Sequence, residues 1–188
     1  MDGQTEVNWT SRNVLTDWLV QVHARFCLVP ETLFLAVNIF DRLLSARIIS
    51  LAKLQLVGIT SLLITSKVEE IVPPSIMLFL HCADCSYTKD EVLEAERYVL
   101  KMLGRNLSYP NPIHFLQRVG EAGEFNVEAR TISEYLLEIS CLEWRLLSAP
   151  PSLLAAAAIW LTRLILGNET WVRLFSSARY SADYPADA

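Results

Sequence analysis

The stretch KLQLVGITSLLITSKVEEIVPP, residues 53–74, decides the fold because its apolar side chains occupy most of the circumference of a helix. Gly58 and Ser61 within it permit neighbouring backbones to approach closely. A helix that is apolar on all sides is surrounded by other helices. Pro73 and Pro74 end it, since proline cannot continue a helix. We therefore expect residues 51–70 to form the central helix of a bundle.

Helical periodicity extends along nearly the whole chain, and no run of strict alternation indicates a strand. In the first half, five helices are predicted over residues 12–26, 30–44, 51–70, 75–81 and 89–104. In the second half, helices are predicted over residues 112–121, 127–147, 152–166 and 170–177. Ser50 and Thr88 are expected to cap the third and fifth helices. The sequence thus predicts an all-α protein.

A domain boundary is predicted at NLSYPNP, residues 106–112, because two prolines there separate periodic segments. We expect an N-terminal domain over residues 1–105 and a C-terminal domain over residues 106–188. The apolar helix LLAAAAIWLTRLIL, residues 153–166, resembles the central helix of the first half, so each half is expected to wrap several helices around one. The ending SSARYSADYPADA is small and polar, and predicts that the second bundle lacks its last helix.

Composition and charge restrict the class of partner. The chain is 52% apolar and 20% charged, as in compact globular proteins, with a net charge of −5. This negative charge disfavours unaided binding to nucleic acid or to an anionic membrane, which require a cationic face. The polar N-terminus shows no secretory signal, so we expect an intracellular protein whose four cysteines are reduced.

Catalytic signatures are absent from the sequence, and its three histidines are scattered. The candidate metal site is the segment HCADC, in which His81, Cys82 and Cys85 could provide three metal ligands. It has no nearby fourth ligand, and a redox Cys-x-x-C is expected near a βαβ pattern that this chain lacks. We expect thiols at a helix end, with neither metal nor cofactor. A small helical thiol or metal protein using Cys82 and Cys85 is the less favoured alternative.

The charged residues Lys67, Glu69 and Glu70 stand where the central helix should reach the surface. They could simply be solvated charges at the end of the helix. However, Lys67 follows Leu63 and Ile64 within a turn, which would leave its ammonium group near an apolar rim where a partner protein could receive it. This arrangement suggests an interface rather than a catalytic centre.

Three stretches resemble the cyclin box in order and spacing: RNVLTDWLVQVHARFCLVPETLFLAVNIFDRLLS at residues 12–45, the central helix at 53–74, and YTKDEVLEAERYVLKML at 87–103. DGQTEVNW near the start and YLLEISCLEWRLLSAPPSLLAAAAIWLTRLIL at residues 135–166 are similar to fungal mitotic B-type cyclins. The resemblance implies two consecutive five-helix cyclin bundles, the second incomplete. It also implies a chain shortened at both ends.

As to function, the resemblance implies a non-catalytic subunit that binds and activates a mitotic cyclin-dependent protein kinase in G2/M control. It would act in the nucleus and cytoplasm, with no nucleic-acid or membrane partner. A transcription-associated adaptor with the same fold is an alternative, but such a module favours a basic surface, and the acidic balance counts against it.

The family's characteristic positions match this chain residue by residue. The resemblance implies that Arg12 and Asp41 form a structural ion pair. It implies that the kinase is bound by residues Lys67, Glu96, Leu56, Glu69 and Glu70. From the pattern alone, an intrachain salt bridge between Lys67 and Glu96 with no external partner is an open alternative.

The resemblance also implies a groove on the first helix that docks substrates or inhibitors, at Val14, Leu15, Trp18, Leu54 and Gln55. Packing in the core is the commoner fate of such residues. Three residues depart from the family pattern. Ser11 replaces a methionine, Gln21 an acidic residue found in some members, and Arg105 an aromatic that packs on the kinase. From Ser11 and Gln21 we expect weaker or differently selective docking, and from Arg105 we expect a lower affinity for the kinase.

Overall fold

The computed structural model describes residues 3–121 and 126–167, and every regular element in these ranges is a helix. The α-helices there are α1 Trp9–Arg25, α2 Pro30–Ala46, α3 Leu51–Glu69, α4 Ile76–Cys82, α5 Lys89–Met102, α6 Pro112–Glu121, α7 Val127–Leu142 and α8 Pro151–Ile165. The prediction of an all-α fold is confirmed. The helix predicted at 170–177 and the chain ending lie outside the described residues.

The chain divides into two compact units, and the first unit includes a segment from far along the sequence. It contains the residues up to Asn111 together with Glu138–Ser148. The second unit contains Pro112–Leu137 and the residues from Ala149 onward. The domain boundary between residues 105 and 106 stays a prediction.

Helix α3 is the central helix of the first unit, as predicted. Helices α1, α2, α4 and α5 all pack against it, and every residue from Val57 to Ser66 is buried. The buried hydroxyl of Thr60 has no hydrogen-bond partner within the described residues. Two other buried hydroxyls bond within the helix: Ser61 Oγ donates to the carbonyl of Val57 at 2.9 Å, and Thr65 Oγ1 to that of Ser61 at 3.1 Å. These bonds offset the cost of burying polar groups.

Two further properties of α3 follow from its apolar surface. A Cβ atom at Gly58 would lie 2.8 Å from Leu15 Cδ2, so the glycine lets α1 approach closely. Helix α3 is also long and apolar enough to cross a bilayer by length and composition. However, 61% of that apolar stretch is buried inside the protein. A core helix can have the same length and hydropathy as a membrane span, and the burial of α3 is what a core helix shows.

Helix α1 begins at Trp9, three residues before the predicted start. Asn8 Oδ1 accepts the N–H of Ser11 at 2.8 Å, and Ser11 Oγ accepts the N–H of Asn8 at 3.0 Å. This reciprocal capping box satisfies donors that would otherwise be orphaned at the helix start. The prediction placed the start too late because the apolar stripe begins only at Val14.

Helix α3 is capped by a different residue from the one predicted. Ser50 occupies the cap position, but its side chain makes no capping hydrogen bond. Instead, Glu6 Oε2 accepts the N–H of Leu51 at 3.0 Å. The cap at Thr88 is confirmed, since its side chain and that of Glu91 form a capping box on α5.

The segment before α1 also holds the connection between α2 and α3. Gln4 Nε2 donates to the carbonyls of Leu44 at 2.6 Å and Arg47 at 2.5 Å. Gln4 Oε1 accepts the N–H of Ile49 at 3.0 Å. The side chain of Gln4 thus forms hydrogen bonds with three backbone groups that have no hydrogen-bond partner within a helix.

In the second unit, α8 packs against α6 and buries one face. The buried positions of α8 are Ala155, Ala158, Ile159, Thr162 and Arg163. Thr162 Oγ1 shares a hydrogen bond of 2.8 Å with Ser133 Oγ of α7. Leu153, Trp160 and Ile165 are exposed, so the described residues cover only one face of α8, and its place as a central helix stays a prediction. Helix α7 also ends earlier than residue 147, and a 3₁₀ turn, Trp144–Leu146, follows it.

The fully buried side chain of Arg12 joins three segments of the first unit. Its Nε and Nη2 donate to the two carboxylate oxygens of Asp41 on α2, at 3.0 and 2.8 Å. Its Nη1 donates to the carbonyl of Cys141 at 2.5 Å and to Asn13 Oδ1 at 3.2 Å. The structure thus brings the predicted ion pair together and adds an acceptor from the returning segment Glu138–Ser148.

Replacing Arg12 by alanine should lower the free energy of unfolding by about 3–5 kcal/mol, because Asp41 and the carbonyl of Cys141 would lose their donor. Urea denaturation followed by circular dichroism measures this loss. The matched control is Arg130→Ala, which breaks an exposed ion pair with Glu134 and should cost less than about 1 kcal/mol. Equal losses in the two variants would contradict the structural role of Arg12.

Candidate functional site

Lys67 and Glu96 form an ion pair at the surface of the first unit. Lys67 lies in the last turn of α3, and its Nζ donates to Glu96 Oε1 of α5 at 2.6 Å. The lysine side chain is 45% exposed and the glutamate 15%. The intrachain salt bridge that the pattern left open is therefore present. The salt bridge uses one of the three N–H donors of the Lys67 ammonium group, so the other two can bind groups on another molecule.

An exposed apolar run follows directly after Lys67. Its exposed members are Val68, Ile71, Val72, Met77 and Leu78, with Ile71 fully exposed and Val72 83% exposed. Single exposed apolar residues need no explanation, but several close together in the chain are unusual for a protein surface and favour an interaction site. Pro73 and Pro74 interrupt the helix here and keep the residue before each of them extended. We call residues 68–78 the apolar run.

The two glutamates of the charge cluster differ in their contacts. Glu70 Oε1 accepts the N–H of Val29 at 2.8 Å and the hydroxyl of Thr32 at 2.7 Å. Val29 is the cap residue of α2 and has no side-chain oxygen, so Glu70 supplies the missing cap from the end of α3. Glu69 is half-exposed and has no hydrogen-bond partner within residues 3–121 and 126–167. The carboxylate of Glu70 is thus already engaged inside the chain.

Leu56 does not lie beside Lys67. It precedes the lysine by eleven residues on α3, which corresponds to about 16 Å along the helix axis. Leu56 is half-buried and lines a separate groove between the N-terminal segment, α3 and α5. We call this concavity the α5 groove. Its volume is about 700 Å³, and its walls include Ile48, Glu91 and Tyr98.

The residues predicted to dock substrates lie together on the other side of the α3 start. A groove of about 550 Å³ is lined by Val14, Leu15, Trp18, Leu54 and Gln55, with Ser11 and Leu51. We call it the α1 groove. Val14 is 67% exposed, whereas Leu15 is buried against Gly58. The alternative of core packing therefore holds for some of these positions and not for others.

The three departures from the family pattern have local structural contexts. The Ser11 hydroxyl closes the capping box of α1, which a methionine could not do. Gln21 Nε2 donates to Asp17 Oδ2 at 2.8 Å, so a carboxylate lies one helical turn away. Arg105 is exposed and adopts a left-handed backbone, φ 58°, directly after Gly104. Its N–H donates to the carbonyl of Leu100, which closes the end of α5.

The cysteines do not form a metal centre in the part of the chain that the structure describes, where no group of three or more histidine, cysteine or acidic side chains could hold an ion. His81, Cys82 and Cys85 are thus not assembled as ligands. Burial raises the pKa of the Cys82 thiol, which disfavours the reactive thiolate. Burial also raises the pKa of Cys141 to about 12, so this thiol is neutral at physiological pH.

Two family models match the chain. Residues 1–108 match the model described as "Cyclin, N-terminal domain", and residues 110–183 match "Cyclin, C-terminal domain". The G2/mitotic-specific cyclin cdc13 of Schizosaccharomyces pombe is 53% identical over 92% of this chain. The G2/mitotic-specific cyclin-B of Emericella nidulans is 48% identical over 91% of it. In both alignments the chain spans 36% of the relative's length.

A solved structure shows the same fold. A viral cyclin from herpesvirus saimiri superposes with a TM-score of 0.79, over 85% of this chain and 72% of that chain. The identity is 21%, so this likeness concerns the fold alone.

Replacing Glu70 by alanine should destabilise the protein by about 1 kcal/mol, because α2 would lose its N-terminal cap. The measurement is the midpoint of urea denaturation with an unchanged slope. Glu69→Ala is the matched control, and we expect its effect to stay within about 0.5 kcal/mol. If both variants unfold at the same urea concentration, Glu70 does not act as a cap.

Proposed function

The chain belongs to the cyclin family, and from this premise we propose that it binds and activates a mitotic cyclin-dependent protein kinase as a regulatory subunit in G2/M control. The observation that carries the proposal is the exposed ion pair of Lys67 and Glu96 beside the apolar run. The mitotic assignment rests on relatives named G2/mitotic-specific cyclins.

The ion pair would supply specificity at the kinase interface. The spare N–H donors of Lys67 can bind main-chain carbonyls of the kinase, and the carboxylate of Glu96 can accept main-chain N–H groups. Charge-assisted bonds of this kind are stronger than neutral ones once partly desolvated. The apolar run would bury most of the contact area and exclude water from the pair.

Activation would follow from differential binding. A subunit that binds one kinase conformation more tightly than the others shifts the population toward that conformation. Phosphoryl transfer needs an aligned lysine–glutamate pair and a metal-binding aspartate, both of which belong to the kinase. In this proposal the present chain carries out no chemistry itself.

We further propose that the α1 groove docks substrates or inhibitors of the kinase. Val14 offers an exposed apolar contact, and Trp18 adds a half-buried ring at the same edge. Glu6 also lines the groove, so an acidic group is present for a basic ligand although Gln21 is neutral. The lack of a methionine at Ser11 reduces the apolar floor, which supports weaker docking than in typical relatives.

The place of action is also a proposal. We expect the protein in the nucleus and the cytoplasm, where a mitotic kinase and its substrates would be met, and this expectation rests on family resemblance. We likewise expect no nucleic-acid or membrane partner, on the basis of the net charge of −5.

Replacing Lys67 or Glu96 by alanine should weaken kinase binding by about 2–5 kcal/mol, because the remaining group would be buried without a partner at the interface. Pull-down and kinase activity with a mitotic cyclin-dependent kinase measure the effect. The free chain should lose less than about 1 kcal/mol of stability, since the Lys67 side chain is 45% exposed and solvent screens the pair there. The control Arg130→Ala, at another exposed ion pair, should bind as the parent does. Parent-like binding by both interface variants would refute the contact.

Replacing Val14 by aspartate should lower phosphorylation of substrates that carry a docking motif by about tenfold, which corresponds to the loss of one buried valine contact. Phosphorylation of a short peptide without the motif should not change. Val127→Asp is the control, because Val127 is also exposed but lies on α7. A similar decrease for both substrates would show that the α1 groove is not a docking surface.

A further inference from the structure

The α5 groove is separated from the ion pair of Lys67 and Glu96 along α3, because Leu56 in the groove precedes Lys67 by eleven residues, about 16 Å along the helix axis. Its residues on α5 include Glu91, Glu94 and Tyr98, spaced by three and four, so they share one helix face. Glu96 lies two residues from both Glu94 and Tyr98, and residues at this spacing do not face each other on a helix. A short ligand held by Glu91, Glu94 and Tyr98 would therefore lie on a different face of α5 from Glu96.

We propose that the α5 groove is a second docking surface, which takes a short extended peptide carrying an apolar side chain next to arginine or lysine. The proposal does not rest on the kinase contact. It is carried by two independent features of the groove: exposed apolar walls and carboxylates held in place by backbone hydrogen bonds.

The apolar part of the groove comes from side chains that the rest of the first unit does not cover. Ile48 is 65% exposed in the connection between α2 and α3, and Tyr98 is 43% exposed on α5. Leu56 lies half-buried in the same groove. In a concave site, these side chains can enclose one leucine- or phenylalanine-sized group and bury apolar area on both partners.

The charge of the groove selects a cationic ligand. Glu6, Glu91 and Glu94 line it, against the single lysine Lys53. The negative balance disfavours phosphorylated or acidic peptides and favours arginine or lysine, which form charge-assisted bonds with carboxylates.

Two of these carboxylates are preorganised because they cap helices. Glu6 Oε2 accepts the N–H of Leu51, and Glu91 Oε2 accepts the N–H of Thr88 at 2.7 Å and its hydroxyl at 2.8 Å. The hydrogen bonds from Thr88 also lower the pKa of Glu91, so its charge persists under mildly acidic conditions. Fixed acceptors lose little side-chain entropy when a ligand binds.

Glu94 differs from the capping carboxylates because it is exposed and has no hydrogen-bond or ion-pair partner in the described part of the chain. It can therefore accept an arginine or lysine without breaking any intrachain contact. Its removal should also leave the fold intact, which makes it the informative position for a test.

The test measures binding of the full chain, without kinase, to a fluorescein-labelled peptide of glycine and serine that carries arginine, lysine and leucine. Fluorescence anisotropy gives the dissociation constant. We expect Glu94→Lys and Ile48→Ser each to weaken binding by about five- to tenfold, as expected for one exposed charge contact and one apolar contact. The same peptide with glutamate in place of its basic residues should not bind.

Two control variants separate binding in the α5 groove from general charge attraction and from binding in the α1 groove. Glu128→Lys makes the same charge change on α7, and an equal loss of binding there would mean that the peptide responds to net charge alone. Val14→Asp alters the α1 groove, and a loss confined to this variant would place the peptide there. Either result, or equal binding of the basic and acidic peptides, would overturn the proposal. None of these outcomes affects the kinase assignment, which is tested at Lys67 and Glu96.

Discussion

The buried guanidinium of Arg12 is the interaction on which the first unit depends. A charge removed from water costs several kcal/mol unless its donors are satisfied. Here Asp41 and the carbonyl of Cys141 accept them, so α1, α2 and the returning segment Glu138–Ser148 are fixed to one another. The stacked rings of Trp9 and Trp144, 5.1 Å apart, join α1 to the same segment. The position of α1 in turn sets the wall of the α1 groove.

Two ion pairs of the first unit illustrate how burial separates structural from functional charge. Arg12 is inaccessible to solvent, and its partners are all within the chain, so it can only stabilise the fold. Lys67 is 45% exposed and uses one donor on Glu96, so it adds little stability and keeps capacity for another molecule. The exposed apolar run beside Lys67 makes that second use physically favourable. Geometry, rather than residue type, therefore distinguishes the two pairs.

Features encoded locally could be predicted from residue patterns, whereas contacts across the chain could be predicted only where the family resemblance supplied them, as for Arg12 and Asp41. Helix α3 was predictable because its apolar residues surround it and Pro73 ends the pattern. The cap at Thr88 was predictable because its partner Glu91 is three residues away. In contrast, Glu6 caps Leu51 from 45 residues away and Glu70 caps Val29 from 41 residues away, so no local pattern indicates either contact. The α5 groove was missed for the same reason, since it is assembled from three separate segments.

The returning segment also has a consequence for synthesis on the ribosome. Arg12 and Cys141 are 129 residues apart in sequence. At translation rates of roughly 5–20 residues per second, Cys141, whose carbonyl accepts from Arg12, is synthesised on the order of ten seconds after Arg12. During that interval the nascent first unit exposes surface that the finished protein covers. Molecular chaperones that recognise exposed apolar surface would therefore have their main opportunity to act before residue 141 has been added.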